Sequence, residues 1–323
     1  MDTIAMRAVC TRVRSRAPVI STVDFCNLPS KSGKLGFTDF SQVSTLVMNL
    51  FLKPGPQFYL LLALLFSGNV YSDTRAVIDA HIHYSHDAWQ YISPAEAIKV
   101  LRQAGLKKAF VSSSSDEGTQ KLYAIAPDLV VPVLRPYRKR GEISRWMYDE
   151  TVVPMLAGLL EKNYYAGIGE FHAFGDDIQL PVLQAVIALA RQHGIFLHAH
   201  VDAQAIEQIF ASNADALVLW AHSGFETPQT IALLLGKYPN LWADLAFRQE
   251  HELNGMVESE WQTLFEQFPD RFVLGTDTYT PERWYYVVEQ ADWSRTWLDT
   301  LSPELADKIA FGNAERLLAR VRR

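Results

Sequence analysis

Cysteine is nearly missing from this chain: only Cys10 and Cys26 occur in 323 residues. A disulfide framework and thiolate metal ligation are excluded for everything after position 26, so a metal there would have to be held by histidine and carboxylate groups. Long apolar runs are missing too. The longest, 58–66, has nine residues, against the roughly 20 that a membrane-spanning helix needs. Positive charge is in deficit, with 30 Lys/Arg against 36 Asp/Glu and a net charge of −6, which argues against a nucleic-acid binder that works by bulk charge. No glycine-rich phosphate loop follows the first predicted strand, which counts against an open-sheet nucleotide binder. What is present is 49 % apolar residues, enough for a sizeable core in a chain of this length.

The charge is unevenly spread. Residues 1–72 hold seven Lys/Arg and three Asp/Glu, which leaves 23 against 33, a net −10, for 73–323. The run 58–66 stands at the divide, and its length suits the core of a secretory signal peptide. Met48 and Lys53 precede it, and Val70 and Ser72 supply the small side chains expected before a cleavage site. The expectation is a signal peptide over 48–72, cut after Ser72, and a periplasmic or secreted product with no stable membrane span. Residues 1–47 would then lie upstream of the true start or form a disordered extension. Arg7, Arg12, Arg14 and Arg16 keep open a transit-peptide reading of that stretch. A buried helix over 58–66 is disfavoured by Pro54, Gly55 and Pro56 in front of it.

The remaining 251 residues, 73–323, match the roughly 250 of a single eight-stranded α/β barrel. Short runs rich in Val, Ile, Leu and Phe alternate with helical patterns, which predicts βα units and a parallel sheet. The predicted strands are 76–83, 108–112, 129–134, 166–171, 195–200, 217–222, 241–245 and 272–277. Helices are predicted over 94–103, 180–193 and 203–210. Ser93, Pro94 and Glu96 form a capping signal for the first. Gly105 and Gly194 sit where a helix end wants positive φ. Eightfold alternation at this length predicts a single (β/α)8 TIM barrel.

Strands buried on both faces should be apolar throughout, so a polar side chain at a strand's carboxyl end needs a reason. Here His81 and His83 end the first strand, Glu170 the fourth, His198 and His200 the fifth, His222 the sixth and Asp277 the eighth. All belong to the face where active sites of this fold lie. Two residues apart on a strand, His81 and His83 project to one side, and His198 and His200 repeat the spacing. A lone strand-end histidine is more often a hydrogen-bonded structural group than a ligand. Six of nine histidines on or just after four strands, counting His172, with a carboxylate on a fifth, point instead to a cation held by imidazoles and carboxylates that activates water.

The segment 77–83 (VIDAHIH), the Glu-bearing strand, the strand-ending His, His and Asp, and the closing segment 311–318 (FGNAERLL) resemble the amidohydrolase superfamily. They are most similar to the family-2 branch that contains aminocarboxymuconate semialdehyde decarboxylase. The resemblance implies that His81, His83 and His198 bind the metal. Asp277 would be both a ligand and the base for the activated water, and His222 would bind a second metal or polarise substrate and water. Glu170 stands where many two-metal members carry a carboxylated lysine and others a bridging glutamate, so a carboxylate there permits two metals; the family-2 branch usually uses one, and one Zn²⁺ is expected, with room for a second. His200 and His172 are expected to orient ligands or touch substrate, His200 being interchangeable with His198. Asp79 would accept a hydrogen bond beneath His81, and His86, His193 and His251 would have ordinary surface or loop roles.

Loops on this face should read a small-molecule substrate. Arg135 and Arg248 are the candidates for clamping a carboxylate or phosphate, whereas the cluster 138–140 serves equally well as a solvated loop. Trp146, Tyr279 and Trp284 either wall the pocket or belong to the core. The function expected is metal-dependent hydrolysis of a carbonyl or phosphoryl centre. The alternatives are metal-dependent non-oxidative decarboxylation of a small carboxylic acid and a non-catalytic periplasmic barrel that binds metal or ligand. Oligomeric state is not readable from the sequence.

Overall fold

The computed structural model describes residues 74–322. The signal peptide and N-terminal extension expected over 1–72 lie outside the described residues. Within them the chain is a (β/α)8 barrel. Its strands are β1 (Val77–Ile82), β2 (Leu106–Val111), β3 (Val130–Leu134), β4 (Gly167–His172), β5 (Phe196–His200), β6 (Val218–Trp220), β7 (Leu241–Asp244) and β8 (Phe272–Val273). They pair in parallel in that order. β8 closes on β1 through Ala80 N–H donating to Leu274 O (2.9 Å), Asp277 N–H to His81 O (2.8 Å) and His83 N–H to Thr278 O (2.8 Å). Among the described residues no helix is long and apolar enough to cross a membrane.

The helices form as the local chemistry dictates. α1 (Pro94–Gln103) starts at a capping box in which Ser93 accepts from Glu96 N–H while the Glu96 carboxylate accepts from Ser93 N–H. It buries Ala97, Ile98 and Leu101, one face of a 3.6-residue period. Full burial of Leu101 contributes roughly 1.5–3 kcal/mol. The helix Pro181–His193 ends at Gly194 with φ +65, the left-handed conformation that glycine adopts without a Cβ clash.

Two strands end sooner than their apolar patterns suggest. β6 stops at Trp220 because His222, Ser223, Gly224 and Phe225 all have φ between +48 and +64. β8 keeps regular pairing only at Phe272–Val273, and Asp277 turns to φ +47. Left-handed non-glycine residues are uncommon and costly. Four of the six among the described residues, His222, Ser223, Phe225 and Asp277, fall on these two strand ends that carry site residues, so the chain leaves the pleat where side chains must be re-aimed. Trp146 and Trp284 are fully buried core residues, while Tyr279 is exposed.

Candidate metal centre

Five buried side chains from four strand ends meet at the carboxyl-terminal face: His81, His83, Glu170, His222 and Asp277. The orientation of each imidazole is set from behind. His81 Nδ1 donates to Asp244 Oδ2 (3.0 Å), His83 Nδ1 to the Ser112 carbonyl (2.9 Å) and His222 Nδ1 to the Ala246 carbonyl (3.0 Å). Acceptors on all three Nδ1 atoms fix the tautomer and leave each Nε2 as a lone pair. Those lone pairs converge. His81 Nε2 lies 3.1 Å from His83 Nε2. Asp277 Oδ1 is 3.5 Å from the first and 3.1 Å from the second, and Glu170 is 3.6 and 3.3 Å from them. His222 Nε2 is 3.5 Å from Glu170 and 3.8 Å from Asp277.

Three imidazole nitrogens and two carboxylates packed this closely repel one another unless a proton or a metal cation joins them. A tetrahedral ion at roughly 2.0–2.2 Å from its ligands holds them about 3.3–3.6 Å apart, and the separations observed bracket that range. His81, His83 and Asp277 form one three-donor group, and His81, Glu170 and His222 another. The field has the matching sign. Burial alone would lower the His81 pKa, but the charges of Asp277, Asp244 and Glu170 outweigh it and hold the imidazole well above its ordinary range. Burial opposes ionisation of Asp277, yet the His81 charge and the His83 hydrogen bond draw its carboxyl down to about 2. The residues fit a divalent metal.

Around this cluster the expected residues divide. Glu170 Oε2 accepts from Arg135 Nη2 (2.8 Å) and Oε1 from His200 Nδ1 (2.8 Å). His172 stacks on His200 with centroids 4.1 Å apart. Tyr137 Oη accepts from His172 N–H (2.8 Å), so its own proton reaches His172 Nδ1 (2.9 Å). Burial pushes the His172 pKa down to about 3. His198, expected as the ligand from the fifth strand, falls in a further three-donor group with His81 and Asp244. Its Nε2 meets Asp244 Oδ2 at 3.2 Å, and its ring packs against that of His81. Burial, reinforced by the His81 charge, lowers its pKa to about 4. Asp79 accepts from the backbone N–H of His81 and from Thr276, with burial raising its pKa to about 6.

Arg248 departs from the expectation of a substrate clamp. It is buried, and its guanidinium donates to the carbonyls of His222 (2.9 Å), Ser223 (3.3 Å) and Glu226 (2.6 Å), with Glu250 on Nε. These contacts brace the left-handed turn that carries His222. His251 also differs from a surface residue, being 1 % exposed.

Sequence reasoning overlooked Asp244. Fully buried at the end of β7, it accepts from His222 N–H and Ala246 N–H on Oδ1 and from His81 and His198 on Oδ2. Burial would raise its pKa, but the charge of His81 and these hydrogen bonds hold it far below the carboxylate range. A lone aspartate in an apolar strand was the available signal. The site opens into a cavity of about 530 Å³, walled in part by Tyr137, Phe225, Phe247 and Tyr279.

The amidohydrolase family model matches residues 153–320. No curated protein matches the sequence. Among solved structures, an uncharacterized TIM-barrel protein from Bordetella bronchiseptica is similar with a TM-score of 0.55 and 16 % identity, covering 76 % of this chain and 99 % of that one. A probable 2-pyrone-4,6-dicarboxylic acid hydrolase from Acinetobacter baumannii gives 0.47 and 13 %, covering 75 % and 99 %. An amidohydrolase from Burkholderia multivorans with bound zinc gives 0.48 and 14 %, covering 76 % and 99 %. At these identities the likeness is one of fold.

Proposed function

The chain belongs to the amidohydrolase family, and from that premise we propose that it is a metal-dependent hydrolase acting on a carbonyl or phosphoryl centre of a small substrate. The observation that carries this reading is the convergence of three Nε2 lone pairs and two carboxylates at the floor of the cavity. His81, His83, Glu170 and Asp277 would hold the metal, a zinc ion by the chemistry of the donors, with His222 as the further nitrogen donor. A divalent cation bound there polarises the substrate oxygen and lowers the pKa of water.

The chain's own groups supply the rest. The Asp277 carboxylate, ionised at neutral pH, takes the proton of the attacking water and returns it to the leaving group. His222 stands 3.8 Å from Asp277 Oδ2 with its Nε2 toward the metal position, held there by Asp244 and Arg248. Phe225 lies parallel to the His222 ring at 4.7 Å and shields it from water. The segment 48–72, read as a signal peptide, supports placing the activity in the periplasm or outside the cell.

Elemental analysis of the purified protein, followed by a screen of esters, lactones, amides and phosphoesters with and without chelator, tests the reading. Turnover that chelator removes and metal restores is the expected result. Asp277→Asn should lower kcat by about 10²–10⁴ with the circular dichroism spectrum unchanged, and undiminished activity would sink the assignment. Release of CO₂ from a carboxylic acid would make the protein a decarboxylase, and bound metal without any turnover would make it a binding barrel.

A further inference from the structure

The loop after β3 carries four cations in six residues, Arg135, Arg138, Lys139 and Arg140, and the structure sorts them. Arg135 is neutralised by Glu170 at 2.8 Å. Arg138 is neutralised by Glu142 and Asp149, and also donates to Thr151. Glu142, buried, further accepts from the backbone N–H groups of Arg138 and Lys139, so one carboxylate pins both the guanidinium and the turn of the loop. Lys139 and Arg140 are left. Both are exposed, both line the cavity, and neither has an ion-pair partner among the described residues.

Two unpaired cations, fixed at the mouth of a cavity in a domain whose net charge is −10, form a local reversal of field that attracts anions. His86 stands in the same wall. Its Nδ1 donates to the Ser114 carbonyl (2.8 Å), so the other ring nitrogen is free for a ligand. Three acids line the cavity, Glu170 and Asp277 at its floor and Asp87, whose Oδ1 accepts from Ala88 N–H. The catalytic groups His83, Glu170 and Asp277 are buried. The cavity therefore runs from a buried floor that takes a scissile carbonyl to an exposed cationic mouth.

We infer that the substrate carries an anionic group, carboxylate or phosphate-like, remote from its scissile bond, and that Lys139 and Arg140 bind this group at the cavity mouth. The inference rests on the hydrolase reading above and adds the substrate class to it. Neutral substrates of the same scissile chemistry are accepted less well because nothing at the mouth compensates for desolvating the two cations.

The test compares three 4-nitrophenyl esters that differ only at the far end of the acyl chain: methyl, carboxylate and phosphonate. For the full chain loaded with zinc, the ratio of kcat/KM for an anionic ester to that for the methyl ester should be about tenfold, as two exposed ion pairs supply. That ratio should shrink as ionic strength rises from about 0.01 to about 0.15 M and the Debye length falls from about 30 to about 8 Å. The larger of the two anionic ratios identifies the group. In the double variant Lys139→Ala/Arg140→Ala the ratio should fall close to one. A wild-type ratio near one, or a ratio that the double variant leaves unchanged, overturns the inference while the hydrolase reading stands. If no ester is turned over by the zinc-loaded protein, the hydrolase reading suffers, and calorimetric titration with glutarate decides the anion site separately. Binding about tenfold weaker in the double variant upholds it, and equal affinity overturns it.

Discussion

Two segments of this barrel have the same sequence spacing and opposite outcomes. On β1, His81 and His83 bring their Nε2 atoms to 3.1 Å of each other at one centre. On β5, His198 and His200 also share a side of the strand, but they diverge: His200 meets Glu170 at 2.8 Å and His198 meets Asp244 at 3.2 Å. The period of a strand decides which face a side chain takes. Which partner it finds on that face depends on depth and on the carboxylates already there. The deeper β5 imidazole finds Asp244, which also binds His81 Nδ1, so one pair shares a centre and the other is split between the centre and its support.

Removing a member of the convergent pair should have the largest effect. His83→Ala takes away a lone pair that nothing nearby replaces, and metal affinity by equilibrium dialysis should fall by more than about 100-fold, with turnover lost. Asp244→Asn keeps the shape and the Oδ1 contacts but sets an amide donor against the donors of His81 and His198. Loss of such an orienting partner typically costs 10–100-fold in metal affinity. Unchanged metal binding in Asp244→Asn would break the comparison, since Asp244 is what joins the two strands.

Much of this was legible in the sequence. Eight strands, the capping box at Ser93 and the strand-end positions of His81, His83, Glu170, His222 and Asp277 follow from periodicity and from the cost of burying polar groups. Asp244 escaped because the apolar pattern continues to Leu245, so the aspartate read as interior to a strand, not as its end. Arg248 escaped for a different reason. Its partners are carbonyls exposed by a turn with φ of +55, +48 and +55 at His222, Ser223 and Phe225, and side-chain patterns do not report such backbone. The split between His198 and His200 needed three-dimensional knowledge of Asp244 and could not precede it.

The β5 pair yields the next contrast. His200 is partly exposed and bonds Glu170, so His200→Ala should lower kcat/KM by about tenfold or more while leaving the melting temperature within a few degrees. His198 is buried, and His198→Ala leaves a cavity and removes a donor from Asp244. It should cost about 1–3 kcal/mol in stability by urea denaturation. If His198→Ala instead strips the metal and His200→Ala does not, His198 is the ligand that the family resemblance implied.

The smallest effect concerns a histidine outside either pair, and it asks what a buried imidazole does with no metal to serve. His251 donates from Nδ1 to the Arg248 carbonyl. Its Nε2 is buried without a partner, with Trp261, Trp293 and Trp297 around the ring. Burial holds its pKa below the ordinary value of 6.5. The folded state therefore resists a proton that the unfolded chain accepts, and below pH 6.5 unfolding takes up that proton. Stability should decline as pH falls from 6.5 toward the lowered pKa, at no more than about 1.4 kcal/mol per pH unit for one group. Urea midpoints between pH 7 and 5 should fall more steeply for the wild type than for His251→Phe, because phenylalanine keeps the aromatic packing and removes the titration. Metal content and turnover should be unaffected. Equal slopes would mean that His251 takes up its proton as readily in the fold as in the unfolded chain, and the distinction between histidines that serve the centre and those that merely pack would then need another basis than burial.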